Sequence, residues 1–314
     1  MSINKSFVYL FAKATDRGAY GASLFRGKNN KIAADQAAVD EMRKELNKIE
    51  MSGIVVIGEG EMDEAPMLYI NEKVGTNSGE EFDIAVDPLE GTNFTAKNLP
   101  NAMSVMAVTK KGDLLQAPDI YMEKIAIGKD LPQNIVDLDF SVEKNILSLA
   151  KAKNVKPDQL RACVLDRPRH EAIIKTLTKM KVKIEFISDG DVSGVISVGY
   201  PKKKIDIYLG IGGGPEGVLA ASALKCLDCQ MQTRLYFQNE EEKSRAKKLG
   251  VKDLNKKYNI EDMVKGDVIF CATGVTDGDF LKGIMDYGKY YTSETLILHK
   301  SSKINKVFKN NFIK

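Results

Sequence analysis

Apolar segments of strand length alternate with helix-like segments along this chain, and polar or glycine-rich clusters follow several of the apolar segments. Residues 53–57 and 82–86 are such apolar segments, whereas residues 33–47 carry apolar side chains at helical spacing. This alternation is typical of layered α/β proteins. Strand–helix alternation becomes regular in the second half of the chain, so we predict two domains, residues 1–160 and residues 161–314.

The composition limits the classes of protein to which the chain can belong. Lysine and arginine (46 residues) nearly balance aspartate and glutamate (43 residues), and the basic residues are dispersed, so we expect no nucleic-acid partner. No apolar run approaches the roughly 20 residues that a membrane-spanning helix needs, so we expect no membrane contact. The four cysteines show no disulfide framework, and this predicts a reducing, cytoplasmic location.

Acidic side chains follow separate predicted strands, and one lies on a predicted helix. Open α/β sheets bind ligands beyond the carboxyl ends of their strands, so these carboxylates could converge there. Crowded carboxylates repel each other, and a hard divalent cation removes that repulsion. Oxygen ligands suit Mg²⁺ or Mn²⁺. For each residue alone, a place on an exposed loop remains the alternative. The candidate residues are Asp35, Glu59, Asp87, Glu90 and Glu216.

Residues 87–92, with the sequence DPLEGT, form the most informative of these clusters. Pro88 fixes the backbone just after the first acid, and Gly91 permits a tight turn. A plain turn that ends a strand is the alternative. The groups that such a turn could direct at bound metals are the Asp87 and Glu90 carboxylates, the Leu89 carbonyl and, nearby, the Thr92 hydroxyl.

This segment is accompanied by further motifs along the chain. They are KIAADQAAVD (31–40), GEGEMDEAPM (58–67), APDIYMEK (117–124), RPRH (167–170), DGD (189–191), GGGPEGV (212–218) and ATG (272–274). Together these motifs resemble the bacterial class II fructose-1,6-bisphosphatase family, within the lithium-sensitive, metal-dependent sugar and inositol phosphatases. The resemblance covers about residues 7–300. It implies an α/β fold, a layered α-β-α-β-α sandwich of the fructose bisphosphatase/inositol monophosphatase type.

The resemblance also implies roles for individual residues, with Mg²⁺ or Mn²⁺ as the cofactor. Asp35 and Glu59 resemble the ligands of one metal ion. The ligands implied for the others are Asp87, the Leu89 carbonyl, Glu90 and Glu216. The implied substrate-binding residues are Glu90, Gly91, Thr92, Tyr121, Arg167, Pro168, Arg169, Asp189, Gly190, Asp191 and Gly213. The positions tied to catalysis are Thr92, Lys31 and Asp63.

The chemistry of the residues adds two expectations. A neutral threonine hydroxyl needs activation, so Thr92 would orient a water molecule while Asp63 or Glu61 helps to remove its proton. Arg167 and Arg169 suit the unreacting phosphate because guanidinium groups bind phosphate oxygens bidentately. Surface arginines in a loop are the alternative.

The expected reaction is hydrolysis of the 1-phosphate of fructose 1,6-bisphosphate, with sedoheptulose 1,7-bisphosphate as a possible second substrate. The resemblance implies a role in gluconeogenesis and a homo-oligomer, either a dimer or a tetramer. Within the same superfamily, the alternative is an inositol or nucleotide phosphate phosphatase. A third alternative is a catalytically weakened binding protein, and the full acidic set argues against it because an inactive relative need not keep metal ligands.

A dinucleotide-binding oxidoreductase is the alternative from another class. Gly212, Gly214 and Gly217 satisfy G-x-G-x-x-G after a predicted strand and before a predicted helix. Against this reading, Glu216 places a carboxylate where a pyrophosphate would sit, and Pro215 occupies the turn.

The remaining candidate groups have structural interpretations. Cys226 and Cys229 form a CxxC pair without the second pair that a zinc ribbon needs, so we predict buried packing. Cys163 and Cys271 lie in apolar strands and are predicted to be core residues. His299 lies in a polar stretch and is predicted to be at the surface.

Overall fold

The computed structural model of the protein describes residues 2–58 and 68–313. It consists of helices and two sheets, and this confirms the α/β class. The chain divides into two compact units, Met1–Leu115 with Val264–Lys314, and Gln116–Met263. This division does not coincide with the predicted domains 1–160 and 161–314, because strands after residue 264 join the sheet of the first unit. No helix of the described residues is long and apolar enough to cross a membrane.

The elements are numbered in chain order. The helices are α1 (Phe7–Ser23), α2 (Lys31–Leu46), α3 (Thr92–Lys97), α4 (Val142–Lys153), α5 (Glu171–Lys179), α6 (Asp191–Ile196), α7 (Gly214–Cys226), α8 (Glu240–Lys248) and α9 (Ile260–Met263). The strands are β1 (Met51–Ile57), β2 (Lys73–Val74), β3 (Glu80–Glu90), β4 (Met103–Lys110), β5 (Tyr121–Ile127), β6 (Arg161–Leu165), β7 (Lys183–Ile187), β8 (Ile207–Gly213), β9 (Gln230–Tyr236), β10 (Lys257–Asn259), β11 (Val268–Gly274), β12 (Met285–Asp286), β13 (Tyr290–His299) and β14 (Ile304–Ile313).

The sheet of the first unit has the order β12-β13-β11-β4-β3-β1-β2, with β14 paired to β13. β3 is parallel to β1 and antiparallel to β4. Helices α1 and α2 contribute Phe11, Val39 and Met42 to one core with the apolar residues of β1, β3 and β4. The spacing of these residues explains why α2 forms close to the predicted range, at Lys31–Leu46.

The sheet of the second unit has the order β10-β9-β5-β8-β6-β7. Strands β6, β7 and β8 are parallel, whereas β5 is antiparallel to both β8 and β9. Ile125 and Leu209 pack against α4 and α5 on one face. Because side chains alternate along a strand, Lys124 and Tyr208 face the opposite side, where α6 and α7 lie.

The predicted packing roles of the single residues had different outcomes. The four cysteines are free thiols, and Cys163, Cys229 and Cys271 are buried as predicted, whereas Cys226, also predicted to be buried, is only partly buried. The prediction for His299 was wrong, because its side chain is only 1% exposed. Its Nε2 atom lies 3.0 Å from Asp267 Oδ2, a partner 32 positions earlier in the chain.

Candidate active site

The corner between β3 and α3 gathers the groups of residues 87–92 within one turn. The register of β3 against β4 shifts between Asp87 and Glu90, so the strand bulges at this point. The Leu89 N–H donates to Asp87 Oδ1 over 3.1 Å, and the Thr92 hydroxyl donates to the Leu89 carbonyl over 3.2 Å. Glu90 is buried. The turn therefore holds two carboxylates, a carbonyl and a hydroxyl within six consecutive residues.

Gly91 makes this corner possible. Its φ of 82° lies in the left-handed region, which L side chains rarely adopt. A Cβ at this position would also lie 2.8 Å from the Phe94 ring. Both observations explain why glycine connects the strand to the helix here.

Helix α2 brings Asp35 to this corner. Ala34 and Ala38 of α2 share an apolar cluster with Leu89 and Phe94. Asp35 follows Ala34 directly and is half-buried, and its Oδ1 atom is shielded from solvent. An acid in the second turn of α2 is therefore placed beside the β3–α3 corner.

Lys31 is the first residue of α2 and is exposed. The Asn30 side chain caps the helix by accepting from the Ala33 N–H over 3.0 Å. The preceding loop is attached to α3, since the Asn29 N–H donates to the Ala96 carbonyl over 2.9 Å. The loop thereby fixes the start of α2, and with it Lys31, next to the corner.

Three predicted residues, Glu59, Glu61 and Asp63, lie outside the described residues, just after β1 ends at Ile57. β1 pairs with β3 at Ile57 and Ala85. Residues 2–58 and 68–313 contain no group of three His, Cys, Asp or Glu side chains placed to hold a metal ion. The donor set that they do contain at the corner consists of oxygen atoms, and this set fits Mg²⁺ or Mn²⁺.

The second unit carries the predicted sugar-phosphate contacts at one edge of its sheet. Arg167, Asp189 and Gly213 lie at or just beyond the carboxyl ends of the parallel strands β6, β7 and β8. Tyr121 begins the antiparallel strand β5 and pairs with Gly213. The polar turns that follow these strands therefore lie at one edge of the sheet of the second unit.

Arg169 is held in place at this edge. Its guanidinium carbon lies 4.7 Å from the centre of the Tyr121 ring. Its Nε and Nη2 atoms donate to the Ile211 carbonyl over 3.0 and 2.8 Å. The ring and the carbonyl fix the guanidinium plane, although the side chain is exposed.

His170 fixes the backbone next to Arg169, a role that the sequence did not reveal. The buried ring accepts from the Ile211 N–H at Nε2 over 2.7 Å, so Nδ1 carries the proton and donates to the Leu165 carbonyl over 2.7 Å. Burial lowers the pKa of this imidazole. A neutral histidine therefore connects the ends of β6 and β8.

The predicted contacts Arg167, Asp189 and Gly190 lie in two neighbouring turns. Arg167 Nη1 donates to the Asp166 carbonyl over 2.9 Å. Asp189 Oδ1 accepts from the Gly190 N–H over 3.1 Å, and Gly190 has a φ of 77°. Because β6 and β7 are adjacent parallel strands, both turns leave the same edge. The exposed Pro168 begins the short 3₁₀ turn between Arg167 and α5.

Asp191 belongs to a buried cluster with Lys124 and Tyr208. Its carboxylate accepts from Lys124 Nζ at one oxygen and from the Tyr208 hydroxyl at the other. The Lys124 side chain is fully buried. The Asp191 carboxylate is therefore occupied by groups of its own unit, and sequence reasoning missed both partners because they are far away in the chain.

Glu216 lies in the first turn of α7, above this cluster. A Cβ at Gly213 would overlap the Glu216 carboxylate, and one at Gly212 would overlap the Asp191 carboxylate. Burial raises the pKa of Glu216, and Asp191 adds to the shift while Lys124 opposes it. Two carboxylates at the glycine-rich turn disfavour a dinucleotide pyrophosphate at this position.

Sequence comparison finds known proteins that are similar to this chain over almost its whole length. The family described as bacterial fructose-1,6-bisphosphatase, glpX-encoded, matches residues 5–312. The class 2 fructose-1,6-bisphosphatase of Haemophilus influenzae is 42% identical across an alignment of 320 positions, which covers 97% of this chain and 96% of that protein. The fructose-1,6-bisphosphatase 1 class 2 of Escherichia coli (strain K12) is 40% identical across an alignment of 307 positions, which covers 93% of this chain and 91% of that protein.

Two solved structures also align with the chain. The extragenic suppressor protein SuhB of Bartonella henselae has a TM-score of 0.35 at 10% identity, over 63% of this chain and 74% of that one. An extragenic suppressor of Pyrococcus furiosus has a TM-score of 0.32 at 15% identity, over 62% of this chain and 70% of that one.

Proposed function

Because this chain belongs to the bacterial, glpX-encoded fructose-1,6-bisphosphatase family, we propose that it hydrolyses the 1-phosphate of fructose 1,6-bisphosphate. The products are fructose 6-phosphate and inorganic phosphate. The observation that carries this proposal is the 42% identity to a class 2 fructose-1,6-bisphosphatase over 97% of the chain. Sedoheptulose 1,7-bisphosphate is a second proposed substrate.

The proposed metal ligands are Asp35, Glu59, Asp87, the Leu89 carbonyl, Glu90 and Glu216. The gathering of the Asp87 and Glu90 carboxylates and the Leu89 carbonyl in one bulged turn supports this assignment. Bound Mg²⁺ or Mn²⁺ would neutralise charge on the phosphoryl group and lower the pKa of a bound water molecule. The oxygen donors favour these hard cations over zinc.

Thr92 is the proposed positioning group for the attacking water. Its hydroxyl donates to the Leu89 carbonyl over 3.2 Å, so its oxygen lone pairs can accept from a water molecule. Glu61 and Asp63 are the proposed proton acceptors, and Lys31 supplies positive charge at the start of α2. The water is thus oriented by a hydroxyl whose own proton is already engaged.

The second unit supplies the proposed contacts to the substrate. Arg169 uses Nε and Nη2 on the Ile211 carbonyl, and this leaves its Nη1 donors for the unreacting phosphate. Arg167 is the second proposed phosphate ligand, and Asp189 is a proposed partner of the sugar hydroxyls. The remaining proposed contacts are Tyr121, Pro168, Gly190, Asp191 and Gly213. Lys124 and Tyr208 occupy the Asp191 carboxylate. The proposed contact of Asp191 with the substrate is therefore made by its backbone at the start of α6.

A panel of phosphate esters tests this proposal. Phosphate release is measured with fructose 1,6-bisphosphate, sedoheptulose 1,7-bisphosphate, fructose 6-phosphate, inositol 1-phosphate and AMP, each with Mg²⁺, Mn²⁺ or EDTA. We expect the highest kcat/KM for fructose 1,6-bisphosphate. We expect no phosphate release from any substrate in EDTA. A preference for inositol 1-phosphate or AMP would instead support the alternative within the superfamily. We propose that the protein is a cytoplasmic homo-oligomer. Analytical ultracentrifugation would test the oligomeric state.

A further inference from the structure

A cavity of about 500 Å³ lies in the second unit, at the opposite end of the strands from the proposed substrate contacts. The cavity adjoins Gly128, which follows β5, and Asp206, which precedes β8. The proposed substrate contacts Tyr121 and Gly213 pair at the other end of the same two strands. At about 3.3 Å per residue, the seven-residue strands separate the two ends by roughly 20 Å.

The charges around this cavity are predominantly positive. Five cationic and two acidic side chains line it: Lys129, Lys153, Arg161, Lys183 and Lys204, with Asp130 and Asp206. The two acids cannot compensate five cations, so an excess of positive charge surrounds the cavity.

One of the acids is already occupied by its neighbours. Asp206 accepts from Lys153 Nζ over 2.5 Å and from the Arg161 backbone N–H over 2.8 Å. The Arg161 guanidinium donates to Glu185 over 3.1 Å. Among the residues that the structure describes, no carboxylate lies within 4.0 Å of the ammonium groups of Lys183 and Lys204. Because Lys129 Nζ lies 4.0 Å from Asp130 Oδ2, Lys183 and Lys204 are the two lining cations that have no carboxylate partner among the described residues.

The strands place the charged residues side by side. Arg161 pairs with Lys183 across β6 and β7, and Ala162 pairs with Ile207 across β6 and β8. Lys183, Arg161 and Asp206 consequently stand next to one another along the edge of the sheet. The pairing of three neighbouring strands therefore fixes the backbone positions of these charged residues.

The lining also contains apolar side chains. Leu131, Val198, Pro201 and Ile205 contribute to the wall. A cavity of this volume is in the range that holds small molecules, and a mixture of apolar wall and a few charged groups is typical of such sites. Lysine ammonium groups bind phosphate oxygens as point charges.

We propose that this cavity binds a small phosphorylated metabolite whose phosphate contacts Lys183 and Lys204 and whose carbon skeleton lies on the apolar wall. The site is separate from the proposed substrate contacts, because it lies at the opposite end of the sheet. It does not depend on the proposed reaction, and its test uses binding and not phosphate release.

Calorimetric titration of the full chain with 3-phosphoglycerate tests the proposal. The titration is carried out in EDTA and is repeated with Arg169→Ala, so that binding at the proposed substrate contacts is distinguished from binding in the cavity. We expect wild-type protein to bind one equivalent, with a Kd that rises with KCl concentration. The double variant Lys183→Glu/Lys204→Glu should bind at least about tenfold more weakly, because two charged contacts are lost.

A matched variant controls for net charge. Lys247→Glu/Lys248→Glu changes two exposed lysines of α8 outside the cavity and alters the net charge by the same amount. It should bind 3-phosphoglycerate like the wild type, and unchanged thermal unfolding should show that both variants fold. Absence of binding to the wild-type protein would overturn the proposal. Equal weakening in both double variants would also overturn it, because binding would then follow net charge alone.

Discussion

The proposed functional residues of the first unit and those of the second unit are held in place in different ways. At the β3–α3 corner, the carboxylates, the carbonyl and the hydroxyl come from six consecutive residues, and the turn orders them through its own hydrogen bonds. In the second unit, the contacts come from the ends of separate strands, and distant residues such as Lys124 and His170 hold them. The first arrangement depends on a local turn, whereas the second depends on the packing of the whole unit. Substitutions should therefore affect chemistry at the corner and stability in the second unit.

The largest effect is expected for Thr92→Ala at the corner. Removal of the hydroxyl takes away the group that orients the water, so kcat should fall by roughly 10²–10⁴-fold. Steady-state kinetics with fructose 1,6-bisphosphate measure this loss, and calorimetry should show that Mn²⁺ binding persists.

Thr95→Val is the matched control for this variant. Thr95 lies one turn further along α3, and its Oγ1 atom is buried without a hydrogen-bond partner among the described residues. Loss of this hydroxyl should leave kcat unchanged. A Thr92→Ala enzyme within about twofold of the wild-type kcat would refute the assigned role.

Lys124→Met should have the largest effect on stability in the second unit. The substitution leaves the Asp191 carboxylate buried beside Tyr208 without its cation, and removing one partner of a buried pair costs about 3–5 kcal/mol. Urea denaturation measures the free energy of unfolding.

Lys225→Met provides the comparison. Lys225 is also buried, but its partner Glu261 is 72% exposed and can be solvated when the lysine is removed. We expect the Lys124 variant to lose clearly more stability than the Lys225 variant. Equal losses in the free energy of unfolding would show that the Lys124–Asp191 pair stabilises this unit no more than the Lys225–Glu261 pair does.

Asp16 tests whether the first unit also depends on distant contacts. This buried carboxyl accepts from Tyr291 over 2.6 Å and from Ser293, and burial raises its pKa to about 6. A folded-state pKa above the unfolded value of about 3.9 means that the folded state favours the proton. Stability should therefore fall by about 2–3 kcal/mol as pH rises from about 4 to 6, and remain level above that.

Asp16→Asn should remove this part of the pH dependence, because the amide does not titrate. Urea denaturation of both proteins between pH 4 and pH 7 measures the difference in slope. If the two stability curves were parallel over this range, Asp16 would not titrate as described.

The smallest effect is expected for Arg169→Ala. The KM for fructose 1,6-bisphosphate should rise about tenfold through loss of charged hydrogen bonds to the unreacting phosphate. A monophosphate substrate should be affected less, since it lacks that phosphate. Arg169→Lys keeps the charge but loses the planar guanidinium group. Its KM for fructose 1,6-bisphosphate should therefore lie between the values of the wild type and of Arg169→Ala. An equal rise in KM for both substrates would reject the contact with the second phosphate.

The sequence predicted the local parts of this molecule well. Helix α2 forms at Lys31–Leu46, close to the predicted residues 33–47, because its apolar spacing and the Asn30 cap are both local signals. The turn at residues 87–92 was likewise visible, since proline and glycine specify its backbone. The order of the motifs along the chain was sufficient to indicate the family, and the comparisons confirmed it.

Features that depend on distant partners could not be read from the sequence. The second domain was predicted to continue to residue 314, whereas β11 pairs with β4 across more than 150 positions of chain. His299 was assigned to the surface because its neighbours in sequence are polar, but Asp267 binds it in the interior. Lys124 belongs to the motif at residues 117–124, but its buried pairing with Asp191 could not be read from the sequence because the two residues are 67 positions apart.

Recovery of phosphatase activity after metal removal tests the central claim most directly. Wild-type protein and Asp87→Asn are treated with EDTA, and phosphate release from fructose 1,6-bisphosphate is followed as Mn²⁺ is added back. The wild type should be inactive in EDTA and regain activity with Mn²⁺, whereas Asp87→Asn should recover little of it at any Mn²⁺ concentration. Full activity of the wild type in EDTA, or identical recovery of the two proteins, would contradict the account.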